Sequence, residues 1–263
     1  MTDMSSGAPA PGFAGQPVHT MEMRDLVAAL RAGLRDFFHA PLFGLAIGGA
    51  FAAIGAVIVL SLTIWDMPWL IYPFAIGFPL VGPFAAVGLY EVSRCLAAGE
   101  RPSWRGVFAV IWAQRRREVS WMAFVMLFVF WVWMYQVRLL IALCLGLISF
   151  ASFEQFVTVV FTTPQGLLFL ALGHAVGAVL AMVLFSITVF SIPLLLERDI
   201  DIVTAMIASV KAVLQSPFVM LGWGVFVTLC VLAASVPLFL GLVVVLPVFG
   251  HATWHLYRRA MPQ

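Results

Sequence analysis

The chain has very little charge for its 263 residues. Charged residues make up only 10% of it and the net charge is +2, whereas soluble domains carry about 25% charged residues. Hydrophobic residues account for 63% and the mean hydropathy is +1.07. One globular core cannot hide this much apolar surface. The composition therefore excludes an ordinary soluble domain and indicates a membrane protein, and the small net charge gives no indication of nucleic-acid binding.

Motifs that carry chemistry are also missing. The three cysteines (Cys95, Cys144 and Cys230) lack CxxC or metal-ligand spacing and are interpreted as small buried hydrophobes. The sequence contains no GxSxG, no Walker loop and no metalloprotease box. No Asp, Glu or Lys falls in the central third of any predicted span, where ion-coupled transporters usually carry such groups. We therefore expect no enzymatic activity and no cofactor.

The charge that is present alternates with long apolar stretches. Thirteen of the fourteen basic residues lie in four patches: Arg24/Arg31/Arg35, Arg94–Arg117, Arg198/Lys211 and Arg258/Arg259. The turns between them carry Asp66 and Glu154, with Arg138 as the one basic exception. Basic loops stay on the cytoplasmic side of a membrane. The pattern therefore predicts a multi-pass membrane protein whose basic loops face the cytoplasm.

The apolar stretches predict six transmembrane helices. A span needs roughly 20 apolar residues, and one of the six is slightly short. They are Leu42–Ile64, Trp69–Tyr90, Val119–Val137, Leu167–Phe190, Phe218–Ala234 and Pro237–Tyr257. Six spans form three hairpins with both termini in the cytoplasm. Arg138 then ends the third span, and Leu139–Phe150 is predicted to be an interfacial or re-entrant piece.

An amphipathic helix is predicted before each hairpin. The segments Arg24–Phe38, Ser103–Arg117 and Asp199–Ser216 each combine an apolar stripe with basic residues at helical spacing. Such helices are typical of the membrane interface. The fold class is therefore all-α membrane, with a disordered cytoplasmic tail over 1–21 and a membrane domain over 22–260. Its three units are 22–100, 101–195 and 196–260.

The first and third units resemble each other. Val27–Pro41 aligns without a gap on Val203–Pro217, and Pro79–Gly82 resembles Pro247–Gly250. An even number of spans separates the units, so the internal repeats would run parallel. Parallel repeats point less strongly to an alternating-access transporter than inverted repeats do.

Three stretches carry a family resemblance. Tyr72–Arg94, Ser191–Asp199 and Leu246–Arg258 resemble a proteobacterial family of predicted integral membrane proteins of unknown function. The resemblance covers roughly residues 22–260, and some members are labelled cytochrome c oxidase subunit. It implies an inner-membrane location and a respiratory-chain complex as a partner, with no catalytic residues.

Three histidines are candidates for a site. His251 and His255 lie one helical turn apart in the last span and could share a metal or haem ligand, or serve interfacial packing. His174 is the other histidine within a span. At 1.5 Å per residue it lies roughly 12 Å from the outer side and His251 roughly 21 Å. This difference in depth disfavours a haem held between them.

Glu91 and Arg94 form a second candidate cluster at the end of the second span. They could pair with each other, with Arg198/Asp199 or with lipid headgroups. Glycines and prolines within the second and sixth spans predict close helix packing or, alternatively, a substrate path.

We expect a non-catalytic accessory, assembly or scaffold protein that contacts membrane lipids. A small-molecule transporter or channel is the alternative. A polar cavity at mid-membrane depth, lined by His174, Gly77 and Pro247, would favour the alternative. A solidly packed bundle would favour the accessory protein.

The topology predicts the location of reporter fusions. Alkaline phosphatase fused after Asp66 or Glu154 should be active, because both turns are predicted to face the periplasm. Green fluorescent protein fused after Arg101 or Asp199 should fluoresce, since those loops are predicted to be cytoplasmic. A cytoplasmic signal at both Asp66 and Glu154 would refute the layout.

Overall fold

The protein is described by a computed structural model that covers residues 19–65, 71–114, 118–146 and 153–262. These residues form eleven α-helices and no strand. The helices are α1 Met23–His39, α2 Pro41–Thr63, α3 Ile71–Ala97, α4 Trp104–Gln114, α5 Glu118–Leu140, α6 Phe153–Thr162, α7 Pro164–Thr188, α8 Ser191–Glu197, α9 Ile202–Gln215, α10 Pro217–Ser235 and α11 Leu242–Ala260.

Four helical stretches within the described residues are long and apolar enough to cross a membrane. They are Pro41–Ser61, Glu118–Leu145, Pro164–Glu197 and Pro217–Ser235. Each coincides with one of the six predicted spans. The other two predicted spans correspond to α3 and α11, so the six-span layout stays a prediction. The protein is all-helical with several membrane-spanning helices, as the composition indicates.

Two boundaries differ from the predicted ones. Residues 139–145 are not a separate piece, because α5 continues as a π-helical turn at Ile141–Leu145 and Arg138 therefore lies inside a longer helix. Gly146, at φ 78°, follows this turn. Residues 147–150 lie outside the described part.

The last helix begins at Leu242 and not at Pro237, because consecutive turns with positive φ at Leu238 and Phe239 precede it.

Two further predictions concern segments at the edge of the described part. The tail predicted over 1–21 lies outside it except for residues 19–21. The His19 amide donates to the Ala260 carbonyl at 2.9 Å. Met21 is buried, and its amide donates to Ser216 Oγ at 2.8 Å.

Of the two predicted turns, the one at Asp66 lies outside the described residues. The turn expected at Glu154 is instead part of α6, a helix that the sequence did not predict.

Helices form at all three predicted amphipathic segments, and each has large apolar side chains exposed. On α9 the buried face consists of small residues such as Ala205, Ser209 and Ala212, whereas Val203 and Ile207 are exposed. On α4, Trp104, Phe108 and Trp112 are exposed at four-residue spacing, and the buried residues are Val107 and Gln114. Large apolar side chains of these helices thus remain exposed, and on α9 the buried face consists mainly of small residues.

The last helix, α11, lies at the centre of the bundle. It packs on α1, α2, α3, α8 and α10. Glycines of α1 and α2 let the backbones of these two helices touch the backbone of α11 directly. A Cβ atom on Gly33 of α1 would lie 2.6 Å from the Ala252 amide nitrogen, and one on Gly48 of α2 would lie 2.6 Å from the Val243 carbonyl oxygen. Small residues thus set the distance between α11 and its neighbours.

The junctions α1–α2 and α9–α10 have the same geometry. A single residue separates the helices in each, Ala40 at φ −133°, ψ 56° and Ser216 at φ −141°, ψ 60°. A proline begins the next helix in both. Four aligned positions are buried in both helices: 29/205, 33/209, 36/212 and 37/213. The internal repeat itself stays a prediction.

Candidate functional site

The C-terminal half of α11 presents a row of polar side chains to its neighbours. His251, Trp254, His255 and Arg258 follow the spacing i, i+3, i+4, i+7, which places them on one face of a helix. Each contacts a side chain of another helix. This row contains both histidines that the sequence singled out.

His255 binds an aspartate of α1. Its Nε2–H donates to Asp36 Oδ2 at 2.6 Å, and the Asp36 side chain is only 4% exposed. Burial opposes ionisation of Asp36, but the hydrogen bond and charge of His255 outweigh it and hold the pKa of Asp36 below its usual 3.8. The contact joins residues 219 positions apart in the chain.

His251 binds a serine of α3. Its Nδ1 shares a hydrogen bond of 2.8 Å with Ser93 Oγ, and both side chains have no exposed surface. His251 Nε2 has no hydrogen-bond partner among the described residues. Although His251 and His255 are one turn apart, they bind different helices and share no common partner atom.

Glu91 and Arg94 pair with each other. Arg94 Nε and Nη2 donate to the two carboxylate oxygens of Glu91, each at 2.7 Å. Glu91 is buried and Arg94 half-exposed. Bidentate pairs of this kind are among the strongest charge-assisted hydrogen bonds. The pair lies in the same stretch of α3 as Ser93, and the Cys95 thiol also donates to Glu91 Oε1 at 3.5 Å.

Further contacts join α11 to α8 and α1. Trp254 Nε1–H donates to Glu197 Oε1 at 3.0 Å, and Arg258 Nη1 donates to Glu197 Oε2 at 3.3 Å. Arg259 Nη1 lies 3.2 Å from Asp25 Oδ1. Both carboxylates are largely buried. The last three turns of α11 thus bind three different helices through charged or polar groups.

His174 lies away from this cluster. It is exposed on α7, and its Nδ1–H donates to the Leu170 carbonyl at 2.7 Å. It borders a crevice of about 540 Å³ whose residues come from α5 and α7 and are otherwise apolar. No residue of α11 lines this crevice, and Pro247 is instead buried near Gly44. The structure therefore separates His174 from the other four candidate residues.

Residues 70–197 match the family model described as predicted integral membrane protein, DUF2189. The match covers 128 of the 263 residues, slightly less than half of the chain. The resemblance to a family of predicted integral membrane proteins is thereby confirmed. No curated protein and no solved structure matches the chain.

The family segment holds only part of the polar cluster. It contains Ser93, the Glu91–Arg94 pair and Glu197. The residues that bind Ser93 and Glu197 lie outside it on α11, whereas Glu91 and Arg94 bind each other. Ser93 and Glu197 therefore join the matched segment to α11, which in turn binds Asp36 of α1.

The Ser93–His251 pair resembles a catalytic serine with its general base, but solvent does not reach it. The 2.8 Å between Ser93 Oγ and His251 Nδ1 is the hydrogen-bond distance expected of such a pair. However, the nearby carboxylate of Asp36 binds His255 and not His251, and neither Ser93 nor His251 has any exposed surface. A substrate cannot reach Ser93 in this conformation. Among the described residues no group of three or more His, Cys, Asp or Glu side chains is placed to hold a metal ion.

Sequence reasoning missed four acidic or hydroxyl members of these contacts, namely Asp25, Asp36, Ser93 and Glu197. The two carboxylates of the basic segment Arg24–Phe38 were one available signal, because an acid that becomes buried needs a partner. Ser93 gave no signal, since a serine near a helix end is ordinary.

The Asp36–His255 contact should contribute measurably to stability. We expect Asp36→Asn to lower the unfolding free energy by about 1–3 kcal/mol, because a buried hydrogen bond to a charged group is weakened. Asp36 has a lowered pKa, so its contribution is present above the usual carboxylate range and is lost as pH falls through that pKa. Thermal unfolding in detergent from neutral pH down to about pH 2 would measure both effects.

The exposed acid Glu100 provides the control, and Glu100→Gln should change little. His255→Ala should cost less in the Asp36→Asn background than alone, because the two changes remove the same contact. Strictly additive effects would contradict the contact.

Proposed function

We propose that this protein is a non-catalytic accessory, assembly or scaffold protein of the bacterial inner membrane. The observation that carries the proposal is the exposed surface of α5. In the most apolar 18-residue window of the candidate span Glu118–Leu145 only 6% of the residues are buried, against 17%, 28% and 33% in the corresponding windows of the other three. The apolar middle of this helix therefore leaves most of its surface available to another protein.

Large aromatic rings occupy one side of α5. At about 100° per residue, five exposed rings fall within one stripe of roughly 80°: Trp121, Phe124, Phe128, Trp131 and Tyr135. Aromatic side chains are the commonest anchors of protein interfaces, because they bury much surface at little entropic cost. Lipid alone does not require them along the whole length of a span, since aromatic residues normally concentrate at the two interfaces.

The proposed layout has six spans and both termini in the cytoplasm. Exposed apolar stripes on α1, α4 and α9 support it, because an interfacial helix turns such a stripe toward lipid. For α11, a length of 19 residues corresponds to about 28 Å, close to the thickness of a bilayer core. Its polar face is compatible with a span because other helices cover it.

A respiratory-chain complex is the partner that we propose first, on the basis of the family resemblance. Association would occur through helix packing and not through electron transfer. In support, His251 and His255 each bind a separate side chain, and His174 lies on another helix. These three histidines are therefore not arranged as a ligand set.

The alternative function is a small-molecule transporter or channel. Its best support is the pair of crevices on either side of α7, of about 540 and 280 Å³. Both are almost wholly apolar, and they share Ala178 and Ala181. Grooves of this kind suit lipid chains or a helix better than a polar substrate, which favours the accessory protein.

Affinity purification in gentle detergent tests the proposal. The wild-type protein should retain a partner in a fixed ratio, and Phe128→Ala/Trp131→Ala should reduce that ratio more than tenfold, because the central anchors of the stripe are removed. Mass spectrometry identifies the partner, and an absorption spectrum should show no Soret band.

Phe218→Ala on α10 is the matched control, since Phe218 is 91% exposed but lies on another helix. It should leave the ratio unchanged. Purification of the chain alone, or loss of the partner only in the control, would contradict the proposal. Stoichiometric haem would overturn it.

A further inference from the structure

We infer that the groove between α1 and α11 is a binding site for the phosphate of an anionic phospholipid. The groove has a volume of about 730 Å³, and four guanidinium groups border it together with one imidazole. These belong to Arg24, Arg31, Arg35, Arg259 and His255. No acidic side chain lines it. A site of this composition takes a compact anion with several oxygen atoms, because guanidinium groups match phosphate geometry.

The charges in the groove are not all neutralised by the protein. Arg24 contacts Glu22 at 3.0 Å on the surface, Arg259 contacts Asp25 at 3.2 Å, and Arg35 lies 3.9 Å from Asp36. The side chain of Arg31 makes no ion pair or hydrogen bond with the described residues. It lies between Arg24 and Arg35 on the same face of α1, so it is the group most open to a ligand.

The position of α1 favours a lipid over a free anion. One residue, Ala40, separates α1 from Pro41, the first residue of a candidate membrane span. The C-terminal end of α1 must therefore lie at the membrane surface. A phosphate bound along α1 would be at the depth of the lipid headgroups.

An apolar stripe on α1 provides a place for the acyl chains. Met23, Val27, Leu34 and Phe38 are exposed by 64%, 43%, 38% and 71%, and at about 100° per residue they fall within roughly 60° of one another. The arginines occupy the adjacent sector of the helix. Met23 and Val27 also line the groove. The headgroup and the chains of one lipid would thus contact neighbouring faces of the same helix.

His255 connects this groove to the interior of the bundle. It binds the buried Asp36 at 2.6 Å, and a second groove residue, Arg259, binds the largely buried Asp25 at 3.2 Å. A bound phosphate would therefore lie near the contact that joins α1 to α11. Lipid binding should stabilise this part of the protein, because a ligand that binds only the folded state raises its stability.

Native mass spectrometry of the full chain with added lipid tests the inference. Phosphatidylglycerol should bind at least tenfold more tightly than phosphatidylcholine and should raise the melting temperature. Arg31→Gln should weaken phosphatidylglycerol binding about fivefold and Arg24→Gln/Arg31→Gln more than tenfold, because each arginine near a charged lipid surface contributes. Arg105→Gln is the control, since Arg105 is exposed on α4 and does not line the groove.

Three results would overturn the inference. Equal binding of the two lipids would show that charge is not recognised. Equal loss of binding in Arg31→Gln and Arg105→Gln would show a general effect of net charge. Tight binding of inorganic phosphate, with no preference for phosphatidylglycerol, would assign the groove to a soluble anion. Without lipid, Arg31→Gln should melt as the wild type does, because Arg31 has no protein partner among the described residues to lose. The double variant should melt nearly the same, since the Arg24–Glu22 pair is exposed.

Discussion

The hydrogen-bonding needs of α11 determine how the bundle is assembled. A helix that carries two histidines, a tryptophan and two arginines over its last three turns cannot turn that face to lipid, where polar groups find no partners. The structure meets this need with side chains from three other helices. Ser93 of α3, Asp36 of α1 and Glu197 of α8 each bind a different residue of α11. The helix that is last in the chain is therefore central in the structure.

Small residues make the closest helix contacts in the bundle. Glycines lie directly against the α11 backbone at Gly33 and Gly48, although the buried core also includes large side chains such as Phe190 and Tyr257. Lipid tails are as apolar as a protein core, so burying a leucine between membrane helices yields little. Close contact and polar contacts hold such helices together instead. Both kinds of contact converge on α11.

The sequence predicted most helices but not the contacts among them. Four spans and three short helices follow from apolar length and from helical spacing, which are local properties. The Asp36–His255 contact joins residues 219 positions apart, and nothing in local periodicity indicates such a pair. The continuation of α5 through 139–145 departs from the predicted end of the span at Arg138, because a single charge near the end of an apolar stretch does not end a helix. The late start of α11 depends on backbone angles at Leu238 and Phe239 that no residue type specifies.

The most direct test of the central position of α11 uses two adjacent glycines of α2. A Cβ atom on Gly48 would lie 2.6 Å from the Val243 carbonyl of α11, whereas one on Gly49 would have no other atom within 4 Å. Thermal unfolding of the two alanine variants in detergent compares them. Gly48→Ala should cost about 1–3 kcal/mol because the helices must move apart, and Gly49→Ala should be neutral or slightly stabilising. Equal melting temperatures for the two variants would show that α2 does not pack on α11 in this way.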